Sequence, residues 1–212
     1  MDSSAEKLET MDDGELFFRE HRKYEIHDGK IYYMAGAATG HGDAVMNIST
    51  LFKNFLKGKK CRVFNESVNV TLKRNFRKFL PDVKIVCDPG KIKKDGIYGA
   101  PDLIVEVLSP STQENDRGYK FKLYEQNGVK EYWIVDINSK NVEVYLLKDD
   151  RFELDKIYHH YTDEEIKEVE ETVIETDDII AQREQIKIKT MKTSLFGDDF
   201  IINTADIFEN ID

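Results

Sequence analysis

The sequence predicts a mixed β-sheet flanked by helices, a fold of the α/β (α+β) class. Three observations predict it. Candidate elements run in the order helix, hairpin, helix, several strands, helix, further strands. The run Leu-Ile-Val-Glu-Val-Leu at 103–108 is apolar at both parities except for one carboxylate, the pattern of a strand covered on both faces. The helix expected between strands 102–108 and 131–137 makes a right-handed crossover, so those two strands should lie parallel.

The 212 residues are 40% apolar and 34% charged, which suits one folded domain. We divide the chain into a loose polar terminus (1–13) and a single domain (14–212), with an acidic stretch at 160–185 as a peripheral insertion. No apolar run approaches the roughly 20 residues of a membrane span, and no signal-peptide pattern is present, so a cytoplasmic protein is expected. Cys61 and Cys87 stand far apart in the sequence with no CxxC motif, which predicts reduced, buried thiols and argues against zinc. The net charge of −10 opposes binding nucleic acid mainly through charge. Residues 53–94 are nevertheless basic, and a run of lysines reads either as a local binding surface or as a solvated face.

Taken in order, residues 15–22 can form a short helix. Residues 24–34 read as a hairpin, with Asp28-Gly29 as a type I′ turn. A small-residue loop at 36–42 leads into a helix over 41–56, whose apolar stripe is Val45, Ile48, Leu51/Phe52 and Phe55 and which Gly58 ends. Two strand segments follow within 61–72, then a strand over 81–87. Residues 89–100 read as a loop. All four prolines, Pro81, Pro89, Pro101 and Pro110, bracket the strands 81–87 and 101–108. After Ser109-Pro110 a helix is expected, with Ser111 and Glu114 as a capping box and Gly128 past its last turn. Strands at 130–137, 142–147 and 151–158, an alternating stretch at 186–191 and a closing helix at 204–211 complete the series.

The chemistry centres on Glu106. A carboxylate inside a covered strand is costly unless it is paired, neutralised or metal-bound. The neighbouring strand opens with Pro81-Asp82, as its own opens with Pro101-Asp102. Asp102 shares a face with Glu106 but lies about 13 Å along the strand, so Asp82 is the better partner. Asp82, Glu106, the Val107 carbonyl and several waters form an oxygen set suited to Mg²⁺, with Mn²⁺ as a substitute. The alternative is a structural ion pair. A fixed cation is also needed beside a scissile phosphate. Lys120 shares a helical stripe with Asp116, Leu123 and Tyr124 and should lean over the sheet, whereas Lys122 should project away. The other reading of Lys120 is an exposed pair with Asp116.

The series Tyr24-Glu-Ile-His-Asp-Gly-Lys-Ile, His41-Gly, Leu80-Pro-Asp-Val, Pro101-Asp-Leu-Ile-Val-Glu-Val-Leu-Ser-Pro-Ser-Thr, Asp116…Lys120…Tyr124 and Gly128-Val-Lys-Glu-Tyr-Trp-Ile-Val-Asp136 resembles the Uma family, described as putative restriction endonucleases within the PD-(D/E)XK nuclease superfamily. The likeness spans roughly 15–147, with a weaker match at 194–211. It implies a restriction endonuclease-like core and Mg²⁺-dependent hydrolysis of DNA phosphodiesters, with Asp82 and Glu106 as the acids. One departure matters: Leu108 stands where the superfamily pattern places lysine. Lys120, or else Lys84, would replace it. Glu25 resembles an extra acid that joins such sites, or pairs with a lysine. His41 reads as a helix cap or as a base that holds water or phosphate.

The expected function is a Mg²⁺-dependent DNA endonuclease acting as a homodimer, with Asp82, Glu106, Lys120, Glu25 and His41 as its catalytic set. The alternative is a weak or inactive nuclease fold serving as a nucleic-acid-binding or regulatory module, which the missing strand lysine and the acidic charge favour.

Overall fold

The computed structural model describes residues 23–34, 36–73, 76–173 and 176–211. The helix expected at 15–22 lies outside the described residues. The hairpin forms as expected: β1 (Tyr24–His27) pairs antiparallel with β2 (Lys30–Tyr33). Asp28 and Gly29 both take positive φ, 48° and 82°, the demand of a type I′ turn. Helix α1 (Thr39–Phe55) begins two residues earlier than predicted, and Ala44, Val45, Ile48 and Phe52 form its buried face.

The chain then lays down β3 (Arg62–Asn65), β4 (Val70–Lys73), β5 (Arg77–Phe79) and β6 (Val83–Val86). The segment 89–100, expected as a loop, contains two short strands, β7 (Ile92–Lys93) and β8 (Gly96–Tyr98). Ile97 supplies what the loop reading lacked: fully buried, it packs with Val70 and Val86. Strand β9 (Leu103–Val107) is buried at every residue. A helical stretch at 113–126, here α2, follows. Within it Gln113–Asn115 and Phe121–Gln126 are α-helical, while Asp116–Lys120 winds as a π-helix. Strands β10 (Glu131–Asp136), β11 (Asn141–Lys148) and β12 (Arg151–His159) come next, close to their predicted bounds.

The acidic stretch carries two exposed helices, α3 (Asp163–Glu171) and α4 (Asp177–Gln185). The end of the chain is more fragmentary than its pattern predicts. Only Thr190–Lys192 (β13) and Ile201–Asn203 (β14) pair, and the closing helix α5 is one turn, Thr204–Ile207. Glu131 anchors this region by accepting from the backbone and hydroxyl of Ser194.

The single mixed sheet expected from sequence is two six-stranded sheets. One runs β2-β1-β5-β4-β8-β7 and the other β12-β11-β10-β9-β6-β3. As predicted, β9 and β10 are parallel. The chain passes between the sheets several times, and one crossing falls at Leu80-Pro81-Asp82, between β5 of the first sheet and β6 of the second. Proline there donates no ladder bond, so pairing stops and restarts. In the second sheet, Leu103, Val105, Trp133 and Val135 pack against α1. Ile104, Tyr132 and Ile134 pack on the opposite face, with Tyr124 of α2. The alternation along β9 therefore turns Glu106 toward α2.

The expectation of reduced cysteines is corrected. Cys61 and Cys87 form a disulfide, with Cα atoms 3.9 Å apart. They are 26 residues apart in sequence, which hides the pairing. The antiparallel register of β3 and β6, with Arg62 opposite Val86, sets them side by side. The thiol argument for a reducing compartment falls with it. Alkylation of the unfolded protein without reductant should leave both cysteines unlabelled by mass spectrometry; two alkyl groups would restore the expectation of free thiols.

Candidate metal and phosphate site

The site is built where the chain crosses between the sheets. Asp82 stands at the crossing, and its Oδ2 accepts from the Val107 backbone N–H at 2.7 Å, which ties the entrance of β6 to the end of β9. Oε1 of Glu106, on β9's other face, accepts from Lys120 Nζ at 3.1 Å and from Tyr124 O–H at 2.8 Å. The Lys120 ammonium also lies 3.4 Å from Glu25 Oε1 and 3.1 Å from Asp116 Oδ1. The Asp116 contact is one of charge, since Oδ1 has no well-directed donor. Lys120 is 3% exposed, so the exposed-pair reading does not hold. Lys122 is exposed, as expected.

Glu25 projects inward from β1. Its Oε1 accepts the Leu80 N–H and its Oε2 bonds His27 Nε2 at 2.8 Å. Lys84, fully buried, donates to the carbonyls of Asn65 and Pro81, and so braces the crossing and not the acids directly. His41 does not cap its helix: the N-cap is Ala38, with no side-chain bond. Its Nε2 instead lies 3.3 Å from Asp82 Oδ2. The Ser111–Glu114 capping box is also absent. Thr112 is the N-cap without a side-chain cap bond, and the Ser111 hydroxyl bonds that of Ser109. Asp102 stays apart, bound to the Cys87 N–H and to Lys130.

The electrostatics arise from burial and surplus negative charge. Four buried carboxylates, Glu25, Asp82, Glu106 and Asp116, converge here. Burial raises the Glu106 pKa well above the ordinary value; Lys120 opposes this, while Asp116, Asp82 and Glu25 add to it. Burial also raises Asp116, against the opposing pull of Lys120, with Asp82 adding to the rise. Burial works against the Lys120 charge, yet the carboxylates outweigh it and push Lys120 well up. Burial brings Lys84 down to about 7 despite Glu106, Asp82, Glu66 and Glu25. His41 is raised: burial favours its neutral form, but the bond to Asp82 prevails, with the Val107 backbone contributing.

Among the described residues no group of three or more His, Cys, Asp or Glu side chains is placed to hold a metal ion by itself, so a divalent cation here would need Asp82 and Glu106 to be joined by a backbone carbonyl and waters. The hydrogen bonds and ion pairs described above engage Oδ2 of Asp82 and Oε1 of Glu106, and none of them uses the other oxygen of either carboxylate. The cluster has more carboxylates than cations, and oxygen-only ligation with waters is the habit of Mg²⁺. Glu25 fits a metal less well, because both its oxygens are engaged.

The site floors a cleft of about 900 Å³. Lys23, His27, Tyr32, Ser109 and Asn115 line its walls. Two partners escaped the sequence reading. Tyr124 is one, although its place four residues after Lys120 on the same stripe was a signal. His27 is the other; its period-2 relation to Glu25 puts both on one face of β1.

A family model named Uma2 and described as "Putative restriction endonuclease" matches residues 5–179. The chain belongs to the Uma2 family. The match runs beyond 15–147 at both ends. Similar proteins include "Uncharacterized protein slr1290" of Synechocystis sp., 38% identical over 133 residues, which cover 62% of this chain and 70% of that one. "Uncharacterized protein sll1609" of the same organism is 28% identical over 132 residues, 61% of this chain and 75% of the other. A crystal structure of a putative nuclease belonging to DUF820 from Anabaena variabilis superposes with TM-score 0.58 over 96% of each chain. At 15% identity that likeness is one of fold. The Uma2 assignment and the fold thus agree with the mixed, helix-flanked architecture expected from sequence.

Proposed function

We propose that this Uma2 protein is a metal-dependent DNA endonuclease. One observation carries the reading: Asp82 and Glu106 both line the floor of an open cleft beside the β5–β6 crossing, with the Lys120 ammonium 3.1 Å from Glu106. Asp82 and Glu106 would hold Mg²⁺ or Mn²⁺, with the Val107 carbonyl as a third donor. Bound there, the ion would lower the pKa of a water and neutralise phosphate charge.

The chain's own residues supply the rest. Lys120 is fixed from three sides and offers its charge to the attacked phosphate or the water beside it without reorganising. It takes the place of the lysine absent at Leu108, which weakens the case for an inactive module. Glu25 works as a positioning residue: bonded to His27 and to the Leu80 N–H, it holds Lys120 over Glu106. His41, beside Asp82 and partly open to the cleft, can give a proton or a hydrogen bond to a phosphate oxygen. A homodimer would present two such sites and cut both strands. Among the described residues no helix is long and apolar enough to cross a membrane.

Supercoiled plasmid incubated with the protein and Mg²⁺ or Mn²⁺ should be nicked, and Asp82→Asn should leave it intact. Equal nicking by both proteins would defeat the proposal. DNA binding without cleavage under either ion would favour the binding-module alternative.

A further inference from the structure

Three aromatic rings are stacked beside the site, and the series ends in the cleft. Tyr119 of α2 stacks on His27 with centroids 5.0 Å apart and planes 16° from parallel. His27 stacks in turn with Tyr32, at 4.5 Å and 30°. Both inner rings are braced. The Tyr119 hydroxyl bonds Asp28, which also holds Arg77, and His27 is bonded to Glu25. Tyr32 is 50% exposed and lines the cleft. An ordinary surface tyrosine would lose rotamer freedom on binding, whereas this one is already held by the ring behind it.

We propose that Tyr32 is a stacking platform for an unpaired nucleobase, so that the substrate of this site is single-stranded DNA or a locally unpaired strand. The inference rests on the nuclease reading and specifies its substrate. Two further observations favour an unpaired strand over an intact duplex. Duplex binding draws most of its energy from cations on phosphates. Among the described residues that line the cleft only Lys23 and Lys120 are lysines or arginines, and both already face carboxylates: Lys23 bonds Glu66, and Lys120 serves the buried acids. The described basic residues of 53–94 are not among those that line the cleft; Lys84 is buried beneath the crossing, and others sit over aromatic rings, Lys59 on Phe55, Lys73 on Phe76 and Lys78 on Tyr24. Base stacking needs no such charge, and it needs a base out of its own stack.

The test is fluorescence anisotropy with a labelled single-stranded oligonucleotide and a hairpin duplex of the same sequence, in Ca²⁺ to hold back turnover. The single strand should bind at least about tenfold more tightly. Tyr32→Ala should weaken it about tenfold or more, the usual worth of one stacked base, while Tyr32→Trp should retain it. A 2-aminopurine placed in the strand should be quenched by the wild type and less so by Tyr32→Ala; thermal melting checks that the variant is folded. Equal or tighter duplex binding, an unchanged Tyr32→Ala, or no binding of either DNA would overturn the inference. Its failure can be told from that of the nuclease reading. Duplex cleavage without single-strand preference leaves the nuclease and removes the platform, while Tyr32-dependent binding with no cleavage under Mg²⁺ or Mn²⁺ does the reverse.

Discussion

Lys120→Met will unfold more easily than the wild type at neutral pH and will not cleave DNA. The substitution keeps most of the apolar stem and removes the ammonium shared by Glu25, Glu106 and Asp116, which are 4%, 2% and 1% exposed. Stripping a buried charge group of its partner costs about 3–5 kcal/mol, far more than a surface pair is worth. Urea denaturation at pH 7 should show a loss of that order. The pH dependence supplies a second check. Burial already raises Glu106 and Asp116, and without Lys120 they rise further. A folded state that binds the extra protons gains stability as pH falls, so the deficit of the variant should shrink toward pH 5. A loss below about 1 kcal/mol at pH 7 would show that Lys120 is not the counter-charge of this cluster. Plasmid nicking should fall to background at a temperature where melting shows the variant folded.

Glu25→Gln should remove a large part of the protein's acid sensitivity. Burial alone would raise Glu25, but Lys120, the bond to His27 and the Leu80 N–H together hold it at about 2, against an ordinary 4.5. A depressed carboxylate contributes stability above its unfolded pKa and loses it as pH falls through the folded one. The window is therefore from pH 4.5 down to 2, and the contribution is about 3 kcal/mol. Urea midpoints should separate wild type from Glu25→Gln by roughly that amount near neutrality, with the two curves converging toward pH 2. Curves that stay parallel through the window would mean that Glu25 is not held by these partners. Because Glu25 and Lys120 share one network, the two substitutions should not add.

Features fixed by local chemistry were legible in the sequence. Asp28-Gly29 has few conformations open to it, and the hairpin formed there. The apolar run 103–108 marked β9, and Lys120 fell on the buried stripe of α2. Features fixed by register between distant segments were not. Nothing in the stretch between Cys61 and Cys87 announces that they are opposed; β3 and β6 must first pair. The short strands β7 and β8 owe their order to Ile97 under Val86 and Val70, a contact with no sequence period. Of the two readings of His41 the helix cap fails, although a polar residue at a helix start usually serves the helix; here the imidazole lies 3.3 Å from Asp82. The division into two sheets was not legible either, because the chain passes between them several times; Pro81, at one crossing, was noticed only as a bracket. The carboxylates were found because an acid in an apolar strand is expensive; the aromatic stack beside them carries no such mark.

The wide turn at Asp116–Lys120 separates residue count from geometry in α2. Each residue of an α-helix advances about 100°, so a loop of one surplus residue rotates the later turns against the earlier ones by that angle. Lys120, Leu123 and Tyr124 stand at or beyond the end of the bulge and keep ordinary α spacing among themselves, so it changes only their offset from the residues before it and from the strand that carries Glu106. A kindred protein with an unbroken helix would have to carry its ammonium at a different spacing from the strand acid to reach the same oxygen. Compared column by column, it would be scored as having lost its lysine when it had lost only a bulge.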